Sequence, residues 1–277
     1  MTDAIIKIGR STVQHGPFND RVYLMKLTRK DFPAILDRLD ELAEREDYSK
    51  IFAKVPEWAR DEFQRRGFQE EAAVPGLFAG GRRGLFFGKY RDPLRRKEGE
   101  KEKVREILLT ARGKAEEELI AELPAGFALR PAEARDAPAM AEVYRQVFAT
   151  YPFPIHDPAY LRSTMAENVR YFGVWQGDDL AALSSSEIDA DGGNVEMTDF
   201  ATLPDYRAQG LANALLGHME EEMRQEGVET AYTIARAYSF GMNITFARSG
   251  YLFGGTLVNN TNIFGRLESM NVWYKSL

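Results

Sequence analysis

No cysteine occurs anywhere in the 277 residues. That absence removes disulfides, thiolate metal sites, iron–sulfur clusters and a cysteine nucleophile together. There are three histidines, His15, His156 and His218, none at a ligand-like spacing, so no metal site is expected. No apolar run approaches the roughly 18 residues needed to cross a bilayer. The opening MTDAIIKIGRSTVQHG lacks the basic, apolar, small-residue order of a signal peptide. The expectation is a soluble cytoplasmic protein with no membrane partner. What is present is ordinary for a globular chain, 44% hydrophobic and 28% charged. The length suits two domains.

Charge is unevenly placed. Residues 1–125 hold 25 Lys/Arg against 23 Asp/Glu, a net of +2, and the remainder hold 11 against 19, a net of −8. An acidic half repels a phosphate backbone, so nucleic acid is not an expected partner, whereas a cationic small molecule suits it.

Three stretches differ in texture. Residues 1–93 read as a smaller α/β domain. VYLMKL (Val22–Leu27) is strand-like, and Phe32, Ile35, Leu36, Leu39 and Leu42 mark one helical face over Asp31–Arg45, with Asp31 placed as a cap before Pro33. A short apolar run, Ile51–Val55, precedes a helix from about Pro56 to Gly67, and GLFAGGRRGLFFGKY reads as a hairpin. Residues 94–125 are dense in Lys, Arg and Glu, with Val104, Ile107, Leu108, Leu119 and Ile120 as the main apolar positions. Mixed signs favour a solvated helical linker. Residues 126–277 alternate strands (127–130, 171–175, 180–188, 195–202, 230–235, 251–258, 268–274) with helices (136–149, 159–168, 209–226, 240–249). That order predicts an α/β (α+β) domain with a mixed sheet covered by helices on both faces.

A faint repeat crosses the two halves. Ile51 to Gly67 and Ile234 to Gly250 both read strand, helix, F-x-x-x-G and an aromatic, with Phe63 and Gly67 matching Phe246 and Gly250. The N-terminal part is thus a candidate degenerate half-domain that extends the sheet or covers a cleft without catalysing.

The segment VEMTDFATLPDYRAQGLANALLGHMEEEM (Val195–Met223) carries the chemistry. A strand runs into Pro204-Asp205-Tyr206, and Arg207-Ala208-Gln209-Gly210-Leu211-Ala212 then opens an amphipathic helix. Unpaired N–H groups and the helix dipole make such a start an anion site. With the strand end Ala201-Thr202-Leu203-Pro204 and the N-x-x-F-A-R-S-G-Y helix (Asn243–Tyr251), residues 127–277 resemble the GNAT superfamily of N-acetyltransferases. The superfamily's pyrophosphate loop has the pattern Q/R-x-x-G-x-G/A. YTIARAYSFGMNITFARSGY, GGTLVNNTNI and LESMNVWYK are similar, within it, to the β-lysine N-acetyltransferases. The resemblance implies a mostly antiparallel acetyltransferase sheet, acetyl-CoA as co-substrate, no metal, and acetylation of the ε-amine of β-lysine to give a compatible solute. It places the pyrophosphate on Arg207, Ala208, Gln209, Gly210, Leu211 and Ala212. Backbone groups of Phe200, Ala201, Thr202 and Leu203 would bond the pantetheine and thioester carbonyl, with Asn243 and Phe246 in the rest of the cleft.

Acetyl transfer needs a neutral amine. An ammonium of pKa ~10.4 is about 0.1% neutral at pH 7.4, a cost of roughly 4 kcal/mol. A carboxylate that takes the proton contributes about 10²–10⁴-fold. Glu196 and Asp199 are the candidates, with a water chain or delivery of an already neutral amine as the alternatives. An odd spacing puts them on opposite strand faces, so one faces the cleft unless a bulge intervenes. Glu196 is favoured. Phe246 stands where many members carry a tyrosine acid, and Tyr238 and Tyr251 are unranked substitutes. For the acceptor, the YPFPIHDP loop offers Tyr151, Phe153 and His156. The amide-rich Asn259–Asn262 run offers Asn260 and Asn262, joined by Glu268 and Asn271, although turn chemistry also explains that run. The partner is therefore a small-molecule amine, with a homodimer left open. Other acceptors (a polyamine, an amino-sugar, a protein lysine) and a silent acyl-CoA-binding module are the competing readings.

Overall fold

The computed structural model describes residues 3–117 and 122–277; Leu119 and Ile120 lie outside them. The N-terminal part runs β1 (Ala4–Ile8), β2 (Ser11–Gly16), β3 (Arg21–Lys26), α1 (Ile35–Arg45), β4 (Lys50–Pro56), α2 (Arg60–Arg65), β5 (Gln69–Phe78) and β6 (Arg82–Tyr90). After α3 (Lys101–Gly113) come β7 (Phe127–Pro131), α4 (Ala137–Val147), α5 (Pro158–Ala166), β8 (Val169–Gln176), β9 (Asp179–Asp189) and β10 (Asn194–Thr202). The chain ends with α6 (Leu211–Gln225), β11 (Thr230–Arg236), α7 (Phe240–Arg248), β12 (Leu252–Ile263) and β13 (Arg266–Ser276). Helices cover both faces of β8–β10, whereas β11–β13 carry α7 on one face and N-terminal strands on the other. Phe172 and Val174 of β8 pack with α6, while Tyr171 and Trp175 pack with α4 and α5, the two-residue alternation of a doubly covered strand.

The two parts share one sheet of order β1-β2-β3-β4-β6-β5-β12-β13-β11-β10-β9-β8-β7. Read inward from each side, β3-β4-β6-β5 mirrors β10-β11-β13-β12. In both runs the first pair is parallel and spans a helix, and the other pairings are antiparallel. The similarity between the halves therefore reaches back past Ile51 to include β3–α1, the counterpart of β10–α6. In the N-terminal copy Phe32 packs edge-on to Trp58 and stacks with Phe63 beside α1, where the C-terminal copy has an open cleft.

The halves join where β5 meets β12, Ala72 opposite Gly255. A Cβ on Gly255 (φ +146°) would fall on the Glu71 carbonyl and the Ala72 backbone. Beside it the buried Lys50 ammonium pairs with Glu71 at 2.9 Å and donates to the Val258 carbonyl at 2.8 Å. Gly255→Ala is expected to cost about 1–3 kcal/mol, the usual range for overpacking, read as a lower urea midpoint with an unchanged slope. A sheet this wide twists and curls. Here the curl brings β3 and β4 over the face of β10 and β11: Lys54 Nζ donates to Tyr232 Oη at 2.8 Å, and Lys26 reaches Asp191 at 3.0 Å.

Several local expectations change. Asp31 does not cap α1; its carboxylate accepts from Arg10 N at 2.8 Å and Ser11 Oγ at 2.7 Å, holding the β1–β2 turn. The charged stretch is not a solvated linker. Val104, Ile107 and Ala111 of α3 are buried, α3 packs on α7, and Arg95 is buried with its guanidinium bonded to the Asn19 and Asn259 carbonyls. The charged residues of α3 itself lie on its exposed face. Asn259–Asn262 is no turn: β12 continues through it with a bulge between Leu257 and Thr261, and the hairpin turns at Phe264-Gly265.

Candidate active site

β10 pairs with β11 only over Asn194–Glu196 and then diverges, opening a cleft of about 710 Å³. Phe200, Thr202, Arg207, Ala208, Gly210, Leu211 and Ala212 line it, opposite residues of α7. Gly210 takes φ +78° immediately before α6, and a Cβ there would meet nothing, so the tight turn rather than crowding asks for glycine. The start of α6 therefore faces open space, where its free N–H groups and dipole favour an anion. Arg207 adds positive charge, whereas Arg236 in the same lining is already paired with Glu268. These features fit a phosphorylated donor such as acetyl-CoA.

Other residues expected in this cleft do not line it with their side chains. Ala201 is buried in the core with Leu203 against it, and Gln209 is exposed, its amide donating to the Asp205 carbonyl. Asn243 is fully buried behind the cleft. Its Nδ2 donates to the carbonyls of Arg236 (2.9 Å) and Ser239 (2.7 Å), and its Oδ1 accepts from Asn271 (2.8 Å) and Trp273 (2.9 Å). Phe246 is core, edge-on to Phe200 and Tyr251. Neither substitute tyrosine lines this cleft: Tyr238 donates to Glu98, and Tyr251 is buried beneath Lys275.

On the other side of β10 lies a second cavity, of about 310 Å³. It contains both candidate carboxylates. A bulge between Thr198 and Ala201, with Asp199 at φ +57°, breaks the alternation and turns Glu196 and Asp199 into the same space. Asp199 accepts from Ser185 Oγ at 2.6 Å and from the Tyr151 hydroxyl. Burial holds it above the usual carboxylate range, against those bonds. Glu196 accepts from Tyr232 Oη at 2.8 Å, and Tyr232 accepts in turn from Lys54. Desolvation first, and the Glu187 charge second, raise Glu196 to about 7, with Lys54 and the Tyr232 bond opposing. Glu187 touches solvent at the mouth of this cavity, yet enclosure by the walls and the charges of Asp199 and Asp189 push it upward too, Lys54 opposing.

A carboxyl poised near neutrality suits general-base work. Removing the neighbouring charge in Glu187→Gln should lower the Glu196 pKa. The acidic limb of the kcat/KM profile should therefore move to lower pH, a displacement that rate measurements across pH 5–9 would register.

Tyr151, Phe153 and Asn260 line this cavity as the sequence suggests, but four expected residues do not. His156 sits in the loop with its carbonyl held by Arg145. Asn262 donates to the Phe18 carbonyl at 2.8 Å. Glu268 is fully buried between Arg236 (2.8 Å) and Arg266 (3.1 Å). Asn271 bonds Thr256 and Asn243. Glu268 and Asn271 are consumed by these partners, whereas His156 Nε2 and Asn262 Oδ1 are unpartnered but lie away from the cavity lining. Sequence reasoning missed the opposite wall, where Arg21, Tyr23 and Met25 of β3 join Phe52 and Lys54 of β4. Alternation along R-V-Y-L-M-K, and a single lysine inside Ile51–Val55, were the available signals.

Comparison with known proteins agrees with this geometry. The model of the acetyltransferase (GNAT) family matches residues 138–251. The chain is 38% identical to the β-lysine N(6)-acetyltransferase of Methanococcus maripaludis, over 99% of this chain and 98% of that one. It is 33% identical to the enzyme of the same name from Methanosarcina mazei, over 89% and 98%. With the N-acetyltransferase YodP of Bacillus subtilis it shares 42% identity over 54% of this chain and 55% of the relative. Among the described residues no helix is long and apolar enough to cross a membrane. With end-to-end similarity to named acetyltransferases, and the family model seated on the strand, loop and helix that frame the cleft, the chain belongs to the acetyltransferase (GNAT) family and is an acetyl-CoA-dependent N-acetyltransferase.

Proposed function

We propose that the enzyme acetylates the ε-amine of β-lysine, giving N6-acetyl-β-lysine. Three carboxyl groups, Glu187, Glu196 and Asp199, converge on a cavity of about 310 Å³ beside the donor cleft, and this observation carries the reading. The volume falls at the small end of ligand sites, which suits an amino acid better than a folded peptide or an aminoglycoside. Tyr23, Phe52, Tyr151, Phe153 and Tyr160 offer apolar surface to an aliphatic stem.

The amine enters as an ammonium attracted by the carboxyl cluster. Glu196, ionised above its raised pKa, takes one proton, and the nitrogen lone pair attacks the thioester carbonyl carbon. The C–N bond forms, the C–S bond breaks, and the second proton that the acylated nitrogen sheds passes to the thiolate, which leaves as CoA thiol. Backbone groups of β10 beyond Glu196, unpaired with β11, are placed to polarise the carbonyl. Arg207 through Ala212 hold the pyrophosphate. Transfer is direct within a ternary complex, with cytoplasmic synthesis of an osmolyte as its setting.

CoA-thiol release against β-lysine, α-lysine, spermidine, an aminoglycoside and a histone peptide tests this. Preference for β-lysine, with mass spectrometry placing the acetyl on the ε-nitrogen, is expected. Preference for another amine would replace the substrate while keeping the chemistry. Silence across the panel despite tight acetyl-CoA binding would favour an acyl-CoA-binding module.

A further inference from the structure

Across the cavity from the carboxyl cluster stands a cation without a counter-ion. Arg21, on β3, is 4% exposed and lines the cavity. Its Nη1 donates to the Asn260 carbonyl and to Thr261 Oγ1 at 3.2 Å, and its Nη2 donates to Gln14 Oε1 at 3.3 Å. All of those acceptors are neutral. Among the described residues no carboxylate pairs with this guanidinium, and its Nε, though buried, has no acceptor at all. Burial pulls the group down to about 10, the Arg95 charge adding to the effect and Asp3 opposing it. Two neighbours are also incomplete: Asn260, 1% exposed and lining the cavity, has an unpartnered Oδ1, and Gln14 has an unpartnered Nε2 behind Arg21.

A buried charge is retained where something pairs with it. The missing partner has a defined chemistry: an anion to accept from the guanidinium, and beside it a donor for Asn260 Oδ1. A carboxylate and an ammonium on neighbouring carbons satisfy both. Tyr23 lies along the path, close enough to feel both Arg21 and Glu196, with Phe52 beneath the guanidinium at 5.6 Å.

We infer that Arg21, supplied by the N-terminal part, together with Asn260 binds the carboxylate and adjacent amine of the acceptor, so that its distal amine is presented to Glu196. This rests on the amino-acid reading of the acceptor given above, and it makes the N-terminal strands half of the specificity pocket instead of a cover. Arg21 and Glu196 thus measure the substrate from opposite ends. An acceptor with two amines but no carboxylate leaves Arg21 unpaired.

Steady-state kinetics with matched acceptors tests it: β-lysine against 1,4-diaminopentane, which keeps both amines and lacks only the carboxylate. The wild type should favour β-lysine. Arg21→Gln should raise the KM for β-lysine by about 10²-fold with kcat nearly held, as for loss of one partner of a buried charge pair. Its kcat/KM for 1,4-diaminopentane should change by less than about threefold, since that acceptor never uses the guanidinium. Arg21→Lys, which keeps the charge but not the fork, should show the same selectivity with a smaller loss and guards against failure of the glutamine variant to fold. Equal losses on both acceptors would overturn the inference by making Arg21 purely structural, and no loss on either would overturn it as well. A wild type that ignores β-lysine would sink the substrate reading alone. The same variants compared on α-lysine and 1,5-diaminopentane would then decide the carboxylate site by the same criteria.

Discussion

Glu196→Gln should lower kcat by about 10²-fold or more while acetyl-CoA affinity holds. The substitution is nearly isosteric and lies on the acceptor side of β10, so the donor cleft keeps Arg207, Gly210 and the start of α6. What is lost is the proton acceptor. The pH dependence should change with it. Glu196 is raised from 4.5 to about 7, so its ionised form, the one that accepts the proton, accumulates as pH rises through neutrality. Wild-type kcat/KM should therefore climb across that range, and the variant should lose that limb.

Stability should move in the opposite direction. A carboxyl whose folded pKa is raised is neutral in both states at low pH and costs nothing there. Above its unfolded pKa the unfolded chain carries the charge comfortably and the folded chain does not, so stability falls as pH climbs toward the folded value. Glutamine removes that penalty, and the variant should melt above the wild type at pH 8 and converge with it at pH 4. Undiminished turnover would move the base to Asp199 or a water chain. A melting temperature below wild type at pH 8 would mean that the Tyr232–Lys54 chain, not the charge, dominates the position.

How much of this site was legible in the sequence depends on the range of the interactions. The loop Arg207–Ala212 could be read because its chemistry is local: a helix start, a glycine at positive φ and a strand running in are all fixed within twenty residues. The helices and most strands of residues 126–277 were legible for the same reason, since periodicity alone sorts Phe172 and Val174 from Tyr171 and Trp175. The acceptor wall was not. Arg21 and Asn260 are 239 positions apart and meet because the sheet curls and β5 joins β12, which no local pattern encodes. β1 and β2 went unread since their alternation is interrupted by Gly9, Arg10 and His15. The bulge at Asp199 also escapes periodicity, because only a φ of +57° reveals that two carboxyls three apart share one face.

Asn243 shows the converse, a motif residue whose position was legible and whose task was not. Its spacing ahead of Phe246 places it by resemblance in the cofactor cleft, yet its amide is fully engaged in the core, joining the Arg236 and Ser239 carbonyls to Asn271 and the Trp273 indole. Asn243→Leu keeps the branched shape in a larger side chain and removes all four bonds. The Asn271 and Trp273 donors then lack an acceptor, each costing about 1–3 kcal/mol where no water relieves it, whereas the two carbonyls keep the Ser239 and Asn243 amides. A total of about 3–5 kcal/mol is a large share of a stability that typically lies near 5–15 kcal/mol. The melting temperature should fall by roughly 10 °C, while the enzyme that remains folded at low temperature keeps its KM for acetyl-CoA within about twofold. Arg207→Ala should do the reverse, raising that KM several-fold with the melting temperature unmoved, because its side chain sits in the open cleft and donates only to the Thr202 carbonyl. The pair separates holding the cleft in shape from holding the donor in the cleft. A raised KM with unchanged melting in Asn243→Leu would return that residue to the donor site.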